Sequence, residues 1–308
     1  MILVTGATGF LGKRVCRKLD ERGLTYVKTS LTMGTDLRDK TQTLDLFERV
    51  KPEYVLHCAA YVGGIQFGLK HTAEMFSNNL LMTINLLEAC HAYNVKRLVN
   101  PISNCSYPAK AKLFKEEEYW DGPLHDSVLI YGFARKASFV GAQAYAKQYG
   151  QDTVSIILSN MYGPEDHFEE ERSHAMGALI MKMVKAKREG QAEVVVWGTG
   201  EPVREWLHID DGAEAMARSM EIPATEELLN IGVASGISIR KMAEIIQKEV
   251  GYTGKLVFDT TKIDGDPYKT VDGSRAAKIF GWAPEISLEQ GIHDTVKWYM
   301  ENHGGATI

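Results

Sequence analysis

Thr5-Gly6-Ala7-Thr8-Gly9-Phe10-Leu11-Gly12 follows a short apolar run, Ile2 to Val4, and leads into an amphipathic stretch, Lys13 to Glu21, with Val15, Cys16 and Leu19 on one side. The glycines stand in a GxxGxxG spacing. Strand, tight turn and helix start therefore coincide within one short segment. Glycine lets the backbone turn sharply and lets a pyrophosphate approach with no Cβ in its way. The helix N-terminus behind it offers unpaired N–H groups and a positive dipole end. Read this way, Gly6, Thr8, Gly9, Phe10, Leu11 and Gly12 form the floor of a dinucleotide site. The plainer reading of the same residues is a tight corner without a ligand.

Outward from that turn the chain alternates. Tyr26 to Thr29, Tyr54 to Ala59, Arg97 to Pro101 and Thr153 to Leu158 read as strands. Between them Thr43 to Val50, Ala73 to Tyr93 and Phe133 to Tyr149 read as helices. This rhythm predicts a Rossmann-type α/β fold, a doubly wound parallel sheet with helices on both faces. After Gly163-Pro164 the rhythm changes. A polar segment, Glu165 to His174, precedes a helix at Ala178 to Lys187, a strand at Val194 to Trp197, a turn at Gly198 to Pro202 and a charged stretch, Arg204 to Asp211. Leu228 to Ile231 and Leu256 to Phe258 read as strands, Ile239 to Val250 and Leu288 to Glu301 as helices. The division expected is 1–164 for the dinucleotide and 165–308 for a smaller C-terminal substrate-binding lobe, with some later strands returning to the main sheet. Gly304 to Ile308 reads as a loose tail.

Of the 308 residues, 44% are hydrophobic and 24% charged, an ordinary globular balance. With 35 basic against 40 acidic residues the net charge is −5, so nothing points to nucleic acid or an anionic membrane. No segment approaches the roughly 20 apolar residues of a membrane span, and Met1 to Val4 is too short for a signal-peptide core. Cys16, Cys58, Cys90 and Cys105 lack metal-type spacing, and the acids and histidines from Glu165 to His174 form no ligand pattern, so no metal is expected. Free thiols suit a reducing cytoplasm.

The choice of dinucleotide turns on the second strand. An acid at its end holds the 2′-hydroxyl of NAD. Here Val27-Lys28-Thr29-Ser30 has none, and the nearest cations are Arg14 and Lys28. The expectation leans to NADP, with NAD open. Asp36 and Leu37 lie later, in a loop placed for the adenine, where Asp36 reads equally as a solvated helix N-cap.

Several further segments together resemble the extended short-chain dehydrogenase/reductase (NAD-dependent epimerase/dehydratase) family, and within it the branch that epimerises and reduces a GDP-linked 4-keto-6-deoxy sugar. They are Ala59-Ala60-Tyr61-Val62-Gly63-Gly64-Ile65, Ser103-Asn104-Cys105-Ser106-Tyr107-Pro108, Asn160-Met161-Tyr162-Gly163-Pro164, Ser173-His174, Val194 to Gly200, Arg204 to Asp211 and Asp264 to Lys269. The resemblance implies Tyr131 as proton donor to the reduced ketone, Ser103 as its hydrogen-bonding partner, Cys105 as base and His174 as acid for epimerisation. It implies cofactor contacts at Ala59, Ala60, Tyr131 and Asn160. Substrate contacts follow at Gly64, Asn160, Lys182, Trp197, Arg204 and Lys269, with Arg204 and Lys182 on the diphosphate. It also implies a homodimer, through the pair of long helices.

Departures stand beside the likeness. The family places lysine four residues after the catalytic tyrosine; here Arg135 holds that position and Lys136 follows. At about 100° per residue Lys136 is turned roughly 140° from Tyr131 and should point elsewhere. Arg135 can supply positive charge and fork onto ribose hydroxyls, but it cannot release a proton. Tyr61 and Tyr268 stand where the family has cations. The competing readings are an epimerase-only or 4-reductase-only enzyme on another nucleotide sugar, or a catalytically weakened dinucleotide-binding regulatory subunit.

Overall fold

Leu3 and Val4, both fully buried, point to opposite faces of one strand, and each face carries its own core. The computed structural model describes residues 1–109, 112–169, 172–281 and 283–303; the tail expected at Gly304 to Ile308 lies outside them. In chain order β1 (Ile2–Thr5), α1 (Phe10–Glu21), β2 (Tyr26–Thr29), α2 (Lys40–Val50) and β3 (Tyr54–His57) come first. Next are α3 (Ile65–Lys70), α4 (Thr72–Ala92), β4 (Arg97–Ser103), α5 (Leu129–Tyr149), β5 (Thr153–Leu158) and β6 (Asn160–Tyr162). Then follow α6 (Ala175–Glu189), β7 (Glu193–Trp197), β8 (Val203–Arg204), β9 (Trp206–His208), α7 (Ile209–Arg218) and β10 (Leu229–Ile231). The last are β11 (Ile237–Ser238), α8 (Ile239–Val250), β12 (Lys255–Asp259), β13 (Tyr268–Lys269), α9 (Ser274–Phe280) and α10 (Leu288–His303).

The main sheet is parallel throughout, in the order β10-β5-β4-β3-β1-β2. Strands buried on both faces read as unbroken apolar runs, as β4 and β5 do. One face is closed by α1 against α7, with Val15, Leu19 and Met216 meeting Val4 and Ile156. The other is closed by α4 between α2 and α5, with Phe47, Leu86 and Cys90 over Leu3, Val55 and Leu98. Strand order reverses between β1 and β3, so a crevice opens at their C-terminal ends, where open α/β sheets take ligands.

A second core forms from α6, α8 and α10 around the β7–β12 pair, with Ile180, Met183, Ile246 and Ile292 buried. Beside it β8 pairs with β11 and β13. Two elements differ from the sequence reading in ways that matter for the site. α5 begins at Leu129, so Tyr131 lies inside the helix and on one continuous spiral with Arg135. α3, to which the sequence reading assigned no element, folds as a short helix behind Gly64.

Candidate active site

The glycine turn is built for close approach. Gly6 has φ 64°, and a Cβ there would collide with the Ala59 backbone; a Cβ on Gly12 would collide with the Gly6 carbonyl. Gly9 caps α1 in extended conformation, with no side-chain cap and no acid in the first turn, so the helix's own residues leave its positive end uncompensated. A row of hydroxyls closes the end of β2: Thr8 Oγ1 lies 2.9 Å from Thr32 Oγ1, which lies 3.0 Å from Ser30 Oγ. On the β3 side Asn79, buried on α4, accepts from the Tyr61 N–H at 3.0 Å and donates to the Tyr61 carbonyl at 2.9 Å, fixing the loop that begins Ala59-Ala60.

Two expectations at this end are corrected. Arg14 is not available to a cofactor phosphate. It is buried, donates to the Pro164 carbonyl at 2.8 Å and pairs with Glu165 and Asp210, tying α1 to the segment after β6 and to α7. Asp36 is not a helix cap. Its carboxylate is forked by Arg38, which holds it below the usual carboxylate range, and Asp39 caps α2 instead. The Leu37 side chain is core, packed with Phe47 and Leu86.

At the reaction end β4 delivers Ser103, whose Oγ accepts the Cys105 N–H at 3.2 Å. The turn Asn104–Ser106 rests on α5 because residue 132 is glycine: a Cβ there would collide with the Cys105 carbonyl oxygen. This contact sets the thiol beside Tyr131. The Tyr131 phenol is pushed up from its ordinary value by burial, with Arg135 pulling the other way and Cys105 adding slightly. Tyr131 is therefore protonated at neutral pH, as a proton donor must be. Arg135 is only 4% exposed, its guanidinium carbon 5.8 Å from the Tyr131 ring centre, and it has no ion pair or hydrogen bond among the described residues. His57, held by Thr5 Oγ1 at 2.8 Å, is kept neutral beside it, pressed to about 3 by burial and then by the Arg135 charge. Lys136 turns away, donating to the Tyr119 carbonyl at 2.6 Å and lying over the Tyr119 and Trp120 rings.

The later elements bring the remaining groups. β8 and β13 are in register at Arg204 and Lys269, and the buried Lys269 Nζ stands 3.3 Å from Cys105 Sγ. Arg204 donates to the Val203 carbonyl at 2.9 Å and is coupled to Asp266, Cys105 and Asp264. Glu205 points the other way, accepting from the Val233 and Val271 N–H groups at 2.6 and 2.7 Å, and its own carbonyl accepts from Asn160 Nδ2 at 3.1 Å. His174 caps α6, and Gly64 N–H donates to the Arg172 carbonyl at 3.2 Å, which seats the Gly63-Gly64 loop against Ser173. The His174 imidazole faces open space, yet the surrounding protein, then His167 and Lys269, press it to about 4. It is neutral at pH 7, with one ring N–H to give. Trp197 is exposed, with Lys182 Nζ at 4.9 Å and Lys262 Nζ at 5.7 Å from its ring.

Ser103, Tyr131, Arg204 and Lys269 each touch or are electrostatically coupled to Cys105, Arg135 adjoins Tyr131, and His174 is coupled to Lys269. Lys182 and Trp197 lie further along, joined to Arg204 through Asp264, which accepts from Thr199 N and Oγ1 at 2.7 Å. Asn79, Gly132, Glu205 and Asp264 were missed in the sequence, having no spacing relation to the residues they hold.

Residues 2–232 match the family model described as the NAD dependent epimerase/dehydratase family. Putative GDP-L-fucose synthase 2 of Arabidopsis thaliana is 37% identical over 302 residues, 98% of this chain and 92% of that one. A GDP-L-fucose synthetase from Naegleria fowleri bound to NADP superposes with a TM-score of 0.89 at 32% identity, covering 99% of this chain and 94% of that one. A GDP-6-OMe-4-keto-L-xylo-heptose reductase from C. jejuni superposes with a TM-score of 0.92 at 27% identity, covering 98% of each.

Proposed function

The chain belongs to the NAD-dependent epimerase/dehydratase family, and on that premise we propose that it is an NADP-dependent epimerase and 4-ketoreductase of a GDP-linked 4-keto-6-deoxy sugar, the work named for its GDP-L-fucose synthase relatives. The observation that carries this reading is the adjacency of two proton-handling groups, Cys105 and Tyr131, across the Gly132 contact, beside a dinucleotide floor. The residues fit the cofactor: Gly6 and Gly12 leave the cradle a Cβ would fill, and the buried, unpartnered Arg135 suits ribose hydroxyls. When bound, the dihydronicotinamide supplies hydride to the C4 carbon.

Tyr131, protonated by burial, gives its proton to the C4 oxygen as the alkoxide forms, and Arg135 stabilises the phenolate left behind. Ser103 Oγ, already accepting the Cys105 N–H, turns its own hydrogen to that oxygen. Cys105 removes the proton from a carbon beside the ketone, and His174 returns one on the other face through its N–H. Arg204 and Lys182 take the diphosphate, Lys269 and Gly64 the sugar end, and Trp197 offers its ring to the base.

The division at residue 164 follows: 1–164 carries the dinucleotide and 165–308 the sugar nucleotide. We place the protein in the cytoplasm, where its four free thiols persist; among the described residues no helix is long and apolar enough to cross a membrane. A homodimer is supported by an apolar face on α4 and α5, where Phe76, Ile84, Phe133 and Val140 are exposed and Phe76 stacks on Phe133. A second reading, a reductase that leaves stereochemistry untouched, is favoured by the likeness to the heptose reductase.

The test is a steady-state assay of NADPH oxidation. GDP-4-keto-6-deoxymannose should turn over with a kcat/KM at least about tenfold above its UDP counterpart, and NADPH about tenfold above NADH. Equal turnover of the UDP sugar contradicts the GDP assignment.

A further inference from the structure

Lys269 is 6% exposed, and its ammonium has no carboxylate partner among the described residues; its one hydrogen bond there runs to Cys105 Sγ, at 3.3 Å. A buried ammonium is costly unless something negative or strongly accepting meets it. The carboxylates nearest by are committed elsewhere: Asp264 to Thr199, and Asp266 to the Tyr268 N–H and the Arg204 charge. The other groups around the sulfur leave the balance positive. They are Arg204 on β8 and the protonated Tyr131 on α5, with Arg135 behind Tyr131 and the neutral His174 coupled to Lys269. Lys269 and Arg204 favour an anion at position 105, while Asp264 and Asp266, engaged with Thr199, the Tyr268 N–H and Arg204, oppose it.

We propose that Lys269 is the positioning residue for Cys105: its ammonium, seated 3.3 Å from Sγ, orients the sulfur and stabilises the negative charge it must carry to remove the proton beside the substrate ketone. In that step the C–H bond breaks, its proton forms S–H, and its electron pair passes through the carbon–carbon bond to the ketone oxygen as an enolate. Lys269 keeps all its protons throughout. The inference rests on the epimerase reading for its chemical purpose, while the pairing itself is a property of the protein alone. It also accounts for the placement of Lys269 on a two-residue strand locked to β8, since Glu205 N–H donates to the Lys269 carbonyl at 2.9 Å and fixes the stem.

Two readouts separate the pairing from the function. The first needs no substrate: the rate of Cys105 alkylation by iodoacetamide against pH, followed by mass spectrometry of the Cys105 peptide. In Lys269→Met the pH of half-maximal rate should rise by about one unit, making alkylation at neutral pH about tenfold slower, while Lys269→Arg stays near wild type. Should the methionine variant not fold, Lys269→Gln gives the same comparison. Unchanged alkylation profiles in the neutral variants overturn the proposal. The second readout is deuterium uptake from solvent into the GDP-4-keto sugar without cofactor, expected to fall with alkylation in Lys269→Met and to return in Lys269→Arg. If wild type takes up no deuterium while the alkylation shift holds, the pairing stands and the epimerase reading fails.

Discussion

Arg135 sits where a lysine is expected, buried and, among the described residues, without an ion pair or hydrogen bond. A guanidinium so placed has its donors free for a ligand, and its fixed fork suits two adjacent hydroxyls better than a point charge does. The site is built around arginine. Arg135→Lys should therefore lower kcat/KM by about tenfold and weaken NADPH binding, read by steady-state kinetics and fluorescence titration; a gain would mean the arginine is a defect. Tyr131→Phe separates the two chemical steps. It should abolish NADPH oxidation, leave the NADPH Kd nearly unchanged and keep solvent deuterium exchange, since Cys105 does not depend on the phenol. The Tyr131 to Arg135 spacing was legible in the sequence because helical period dictates it, and the turning away of Lys136 followed from the same arithmetic. The Cys105–Lys269 contact was not, for the two lie 164 residues apart and meet through the pairing of β13 with β8 and of the segment after it with Lys112 and Phe114.

Glu205, fully buried where β8 meets β9, links two loops of the smaller lobe and is pushed up to about 7 by burial, against the backbone N–H groups of Val271 and Val233. Between its ordinary 4.5 and about 7 the folded protein holds a proton that the unfolded chain has released. The stability this group contributes is thus present below that window and lost as pH rises through it. Glu205→Gln cannot accept from both N–H groups and should cost about 1–3 kcal/mol in urea unfolding. The gap from wild type should be wider at pH about 5 than at pH about 8; equal gaps would show that the carboxyl titrates normally. Gly132 tests the packing of α5 on the Cys105 turn. Gly132→Ala drives a methyl into the Cys105 carbonyl and should reduce reduction and exchange together, with a stability loss of about 1–3 kcal/mol. The long strands and helices were readable because each carries several turns or alternations of apolar pattern. The strands β8, β11 and β13 were not, since two residues carry no period.

At the scale of the whole molecule, the sheet carries one core on each face, and a separate core gathers α6, α8 and α10. Cys105 and Tyr131 come from the turn after β4 and from α5, Lys269 and Arg204 from the β13–β8 pair, so the site is complete only when these distant segments meet. The apolar face of α4 and α5 lies on the sheet side, and Ile84→Glu or Phe133→Glu should convert a dimer to a monomer in sedimentation equilibrium with the turnover of each chain retained; a wild-type monomer would remove that interface. The alternation of strand and helix made the sheet's cores plain from the sequence, whereas the separate core depends on distant segments closing over one another. The most direct measurement is one turnover of GDP-4-keto-6-deoxymannose with NADPH in deuterated water, with the product examined by NMR. The expected product is reduced at C4 and carries solvent deuterium at a carbon flanking C4 with inverted configuration. A C4-reduced product with protium at both flanking carbons would contradict it and leave a reductase alone.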